Sequence, residues 1–232
     1  MPAAVEINQT AIESRPPKQY PYDAVFVLGA NFHLLGEKSS NPRLYPSDLR
    51  DNDGFGTLGG GFRNLAALEL YLQGKTRNIF FVGGISEKIK NQFAGKISPL
   101  PTEAELYKTK FERLTNRMKQ LRAHKERFNG LEDLQLEALT GSANSHGNLE
   151  TIFQRSQKAG LQNIAIVSNN YHTGRLKLQY DYELPEPIKA NINVTIIGAE
   201  SYIKDTIPGR YDNVIFHFED PRRNPDMHLR LR

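Results

Sequence analysis

The chain has 232 residues, enough for one α/β domain with a substantial core. Its 30 basic and 26 acidic residues give a net charge of +4, which permits an anionic ligand without demanding nucleic acid. The absence of cysteine excludes disulfides, thiolate metal sites and thiol nucleophiles.

Residues 1–22 are polar and proline-containing, and read as a loosely attached arm with no signal peptide. No apolar stretch approaches membrane-spanning length, so a cytoplasmic protein is expected. Asp23 to Gly29 is a short apolar run closed by glycine, the pattern of a buried strand. A long polar loop is expected over 31–61, with prolines at 42 and 46 and five glycines between 54 and 61. Phe62 to Gln73 has helical spacing, with Leu65, Leu68 and Leu72 on one face and Gly74 as a stop. Asn78 to Gly83 reads as a second buried strand, followed by Gly83-Gly84 and a helix beginning near Thr102.

That helix is basic. Tyr107, Phe111, Leu114, Met118 and Leu121 form an apolar stripe, and eight lysines and arginines between Lys108 and Arg127 lie elsewhere on it. A solvated basic face accounts for the charges, and a surface for nucleic acid or an acidic protein is the competing explanation. Leu134 to Leu139 reads as a third strand, Leu149 to Ala159 as a helix stopped by Gly160, Asn163 to Ser168 as a fourth strand and Ile192 to Gly198 as a fifth. The tail from Pro221 is polar and carries four arginines. Strands alternating with helices predict a mainly parallel sheet covered on both faces, in a domain spanning 23–220 with a basic helical insertion near 104–133.

In such sheets ligands bind where strand carboxyl ends meet helix amino ends. Four post-strand segments should therefore face one crevice: Gly29-Ala30-Asn31, Gly83-Gly84, Ser142 to Asn148, and Asn169 to Arg175. Small residues in the first two let a ligand approach the backbone. Ser142, Asn144 and Asn148 can cap a helix or contact a ligand. Ser168, Asn170, Tyr171 and His172 lead to Arg175, and His172 can either move a proton near neutral pH or serve as a hydrogen-bonding wall. Arg63, in the first turn of its helix, can clamp a phosphate or carboxylate, or form a surface ion pair. Glu103 can act as a base or simply favour a helix start. Gly54 to Gly59 spells a dinucleotide fingerprint, but the first strand ends about 25 residues upstream, so the tight strand-to-helix turn is lacking. A metal site from Glu103, His146 and His172 is conceivable, but nothing shows ligand spacing.

These motifs, in order, resemble the SanA/ElyC/YdcF-like family, a domain of unknown function. The resemblance rests on Leu28-Gly29, Arg63 with Ala67 to Tyr71, Gly83-Gly84, Thr102-Glu103-Ala104, Ser142 to Asn148, and Ser168, Tyr171, His172 and Arg175, and it spans about 23–198. Two positions depart from the family pattern: Gly147 stands where an acidic residue is usual, and Ser145 where threonine is, keeping the hydroxyl. The resemblance implies a Rossmann-like three-layer fold. It also implies a soluble, unanchored member, and adds S-adenosylmethionine as a candidate ligand without fixing a reaction.

The expected site thus comprises His172 and Glu103 as proton-transfer groups. Gly29, Ala30, Asn31, Arg63, Gly83, Gly84, Ser142, Asn144, Asn148, Ser168, Asn170, Tyr171 and Arg175 are the ligand contacts. The expected partner is an anionic small molecule, nucleotide-like or phosphorylated. Phosphoryl or group transfer is the chemistry such a site would support. Nucleic acid bound by the 108–127 helix is the alternative.

Overall fold

A computed structural model describes residues 19–30, 32–35, 43–49, 59–85, 87–93, 95 and 97–212. Its centre is a five-stranded, all-parallel sheet flanked by helices, a Rossmann-like three-layer α/β sandwich. The chain begins with β1 (Ala24–Leu28), then an antiparallel hairpin of β2 (Phe32–Leu35) and β3 (Arg43–Pro46). Helix α1 (Gly61–Leu72) leads to β4 (Asn78–Val82), α2 (Glu87–Phe93) and α3 (Glu103–Gln120). After α4 (Arg122–Lys125) come β5 (Gln135–Leu139), α5 (Ser145–Ala159), β6 (Asn163–Ser168) and α6 (Asn170–Leu178). The described part closes with α7 (Glu186–Lys189), β7 (Asn193–Gly198) and α8 (Ala199–Thr206).

Strand order is β5-β4-β1-β6-β7. From β1 the chain builds outward through β4 and β5, then returns to the other side of β1 for β6 and β7. The switch point therefore lies between the ends of β1 and β6, where such sheets open a crevice. Strand pleating divides the core in two. Val25, Val27, Ile79, Phe81, Ala165 and Val167 meet α1, α3 and α8 on one face. Ala24, Phe26, Leu28, Phe80, Val82, Ile164 and Ile166 meet α5 and Leu176 of α6 on the other. Burial on both faces is why β1, β4 and β6 read as nearly continuous apolar runs.

Several expectations change. The segment taken as a loop over 31–61 contains the β2–β3 hairpin, paired from Phe32↔Pro46 to Leu35↔Arg43. Over 103–120 the basic region docks through its apolar stripe as expected: α3 covers one face of the sheet, with Tyr107 and Phe111 fully buried. Thr102 starts it with a capping box, its hydroxyl accepting from Glu105 N at 3.2 Å while Glu105 Oε2 accepts from Thr102 N at 2.7 Å. The helix ends before Leu121, which takes extended backbone angles and is 46% exposed, so the apolar stripe stops at Met118. Helix α5 begins at Ser145, four residues earlier than the apolar spacing indicates, because polar capping residues occupy its first turn. No described helix is long and apolar enough to cross a membrane.

Candidate functional site

Arg63 sits at the switch point. It is only 2% exposed, although it belongs to the first turn of α1. Its Nε donates to Asn169 Oδ1 at 2.6 Å, just after β6, and its Nη1 donates to Leu28 O at 2.9 Å and to Gly29 O, at the end of β1. One guanidinium thus ties together the two strand ends that flank the crevice. The surface ion pair considered for Arg63 is not formed. Burial of a charge needs such hydrogen bonding, and here uncharged oxygens supply it.

Asn169 is fully buried, and its Nδ2 donates to Glu200 Oε1 at 2.6 Å. Glu200 Oε2 accepts from Asn170 N at 2.7 Å, so a carboxylate from α8 covers the amino end of α6. Burial raises the pKa of Glu200, and its hydrogen bonds to Asn169 and Asn170 oppose that rise. Asn170 also turns to α8, its Nδ2 donating to Ser201 Oγ at 2.8 Å. Both side-chain functions of the Asn169-Asn170 pair are therefore committed to the scaffold.

Glu103 faces the opposite wall. Its Cβ and Oε2 lie over Gly29, where an added Cβ would be 2.6 Å from each, and both would be 3.0 Å from a Cβ on Gly83. Gly83 also has φ of +154°, a conformation open chiefly to glycine. These two glycines are thus required by the close approach of the α3 amino terminus, which places a carboxyl at the strand ends. The Glu103 N–H donates to Gly84 O at 3.2 Å. Burial raises the Glu103 pKa from 4.5 to about 7, against the lowering influence of Arg63. No described residue hydrogen-bonds its carboxyl oxygens.

His172 lies in the first turn of α6. Its Nδ1 is 2.9 Å from Ser168 Oγ and its Nε2 is 3.0 Å from Ser145 Oγ. Burial first, then the charges of Arg63 and Arg175, lower its pKa from 6.5 to about 3. The imidazole is therefore neutral at neutral pH. One nitrogen donates to a serine oxygen and the other accepts a serine proton. Arg175, one turn further, is exposed and has no hydrogen-bond or ion-pair partner among the described residues.

The third loop is mostly scaffold. Asn144 Oδ1 accepts from Gly147 N at 2.9 Å and caps α5, while the buried Ser142 Oγ donates to Asn144 O at 3.0 Å. Gly84 N donates to Ser142 O, which ties this loop to the end of β4. Asn148 is 7% exposed, and its Oδ1 has no partner among the described residues. Tyr171 is half-buried, its ring centroid 6.1 Å from that of His172. Ala30 packs against the core, and Asn31 lies outside the described residues, as does most of the 54–59 glycine motif.

Four parallel strand ends thus bring Gly29, Gly83, Gly84, Ser142, Ser168 and His172 to one edge, with Arg63 and Glu103 delivered by helices. His146 is not part of a cluster with Glu103 and His172, since its ring pairs with Glu183 at 3.1 Å and Glu150 at 3.4 Å. Among the described residues no three His, Asp or Glu side chains are placed to hold a metal ion. Sequence reasoning missed Ser145, Asn169 and Glu200 as site residues. Ser145 and Asn169 stood inside recognised polar segments, whereas Glu200 gave no local signal because it acts through an adjacent helix. Compared with known proteins, the chain matches no family model, no curated protein and no solved structure.

Proposed function

We propose that this edge binds an anionic small molecule, nucleotide-like or phosphorylated, and carries out phosphoryl or group transfer on it. The observation that supports the reading most is the meeting of two cations with a carboxyl and an imidazole of oppositely displaced pKa at the switch point of a parallel sheet. Arg63 is oriented by Leu28, Gly29 and Asn169 and offers its remaining guanidinium protons. Arg175 adds an uncommitted positive charge. Glu103 is half-protonated near neutral pH and so can give or take a proton, while the neutral His172 can accept one.

The motif resemblance to the SanA/ElyC/YdcF-like proteins adds S-adenosylmethionine to the ligands worth testing. Thermal unfolding with nucleotides, sugar phosphates, inorganic phosphate and S-adenosylmethionine tests the reading, because a ligand of the native state raises the melting temperature. A rise with phosphorylated compounds is expected. No rise with any of the four classes contradicts the proposal.

A second reading has its own support. A cleft of about 310 Å³ between α1 and α3 is lined by the exposed Arg113 and Arg117 beside Leu65 and Leu114, with Lys110 paired to Asp48 at 3.2 Å on its wall. A nucleic acid or acidic partner held there would bind with steep salt dependence.

A further inference from the structure

Ser145, His172 and Ser168 form one hydrogen-bonded chain. His172 Nε2 is 3.0 Å from Ser145 Oγ, and His172 Nδ1 is 2.9 Å from Ser168 Oγ. Ser168 is fully buried at the end of β6, whereas Ser145 is half-buried at the first position of α5. The inner serine therefore fixes the ring, and the outer serine is the one partly open to solvent. A hydroxyl, a neutral base within hydrogen-bond reach and a third group orienting the base make up the arrangement by which serine is activated for attack. Ser145 also begins a helix of 15 residues; Asn144 takes the Gly147 amide, and the positive end of the helix still favours negative charge beside Ser145.

We propose that Ser145 is a nucleophile for phosphoryl transfer, with His172 taking its proton and Ser168 positioning the imidazole. The inference rests on the anion-binding reading of the same edge. The two arginines beside the ring select phosphoryl over neutral acyl substrates. They also make the imidazole weakly basic in the empty site. A phosphoryl dianion between them offsets that charge, so the base strengthens as the substrate binds.

In the first step Ser145 Oγ attacks the phosphorus of a phosphomonoester and its proton passes to His172 Nε2. The bond from phosphorus to the alcohol oxygen breaks, and the protonated Glu103 carboxyl donates its proton to that oxygen, releasing the alcohol. In the second step water attacks the phosphoserine phosphorus and gives a proton to the Glu103 carboxylate. The phosphorus–Ser145 bond breaks, Ser145 Oγ recovers its proton from His172, and inorganic phosphate leaves.

The test incubates the full chain with p-nitrophenyl phosphate, quenches in acid, and maps any phosphoryl group by peptide mass spectrometry. The expected result is one phosphoryl group on Ser145, absent in Ser145→Ala and retained in Ser145→Thr. Labelling should slow by about 100-fold or more in His172→Asn, the usual scale for loss of a general base. Thermal unfolding with inorganic phosphate runs in parallel. If phosphate stabilises the wild type but no adduct forms on Ser145, the anion site stands and the nucleophile is rejected. If phosphate gives no stabilisation and no adduct forms, both are rejected. Should Ser145→Ala fail to fold, the site of the wild-type adduct decides, and an adduct on any other residue overturns the proposal.

Discussion

Arg63 Nε lies 2.6 Å from Asn169 Oδ1, joining a helix after the first strand of the sheet to the residue that follows its fourth, 106 positions later. The same guanidinium holds Leu28 O and Gly29 O, so the strand ends at the switch point are joined by a buried cation. Arg63→Ala should leave Asn169 Oδ1 and Leu28 O without side-chain donors among the described residues and lower stability by about 2–4 kcal/mol. Chemical denaturation measures it. A loss below about 0.5 kcal/mol would show that the guanidinium contributes nothing to the strand ends.

Glu103 sets a stability slope with pH. Its folded pKa of about 7 exceeds the ordinary 4.5, so the folded state holds its proton more tightly than the unfolded state. The associated stability is full below about pH 4.5 and is lost as pH rises to about 7. Glu103→Gln keeps the shape without the charge, and should be more stable than wild type at pH 8 by on the order of 2–3 kcal/mol, with little difference at pH 4.5. Equal stabilities at both pH values would contradict the burial of an ionising carboxyl.

His172 acts in the opposite direction. Its folded pKa of about 3 lies below 6.5, so its contribution is present above pH 6.5 and is lost as pH falls towards 3. Between pH 4.5 and 6.5 the two groups oppose each other. Imidazole NMR resonances should report a neutral His172 at pH 5, and Ser168→Ala should perturb its tautomer. A ring titrating near pH 6.5 would remove the cations and burial from the account.

How much of this was legible beforehand differs by element. The strands that became β1, β4 and β6 were visible because burial on both faces leaves an unbroken apolar run, as in Ala24–Leu28. The hairpin of Phe32–Leu35 and Arg43–Pro46 was not, since its strands are short and lie among turn-forming residues. His172, Glu103 and Arg63 could be singled out from their places at strand and helix ends. Their surroundings could not: Asn169 meets Arg63, Ser145 meets His172 and Glu200 meets Asn169 through contacts across 27 to 106 positions, which no local pattern encodes.

The basic faces of α3 and α4 should be dispensable for the small-molecule site. Tyr107 and Phe111 already dock the helix, and Lys119 and Arg122 are exposed. Reversing both to glutamate should leave phosphate affinity within a few-fold, as binding calorimetry will show. A gel-shift assay with RNA across salt concentrations tests the second reading, and tight, salt-sensitive binding abolished by reversing Arg113 and Arg117 to glutamate would favour it.

The proposed function stands or falls with anion binding at the switch-point edge. Arg175 gives the cleanest handle, because it is exposed and has no partner among the described residues, so its loss should leave the fold intact. Calorimetric titration of wild type and Arg175→Ala with the best phosphorylated ligand from the thermal screen measures this directly. Binding to wild type is expected, weakened by about 10-fold or more in Arg175→Ala at an unchanged melting temperature of the free protein, the scale of one charged hydrogen bond. Equal affinity of the two proteins would contradict it.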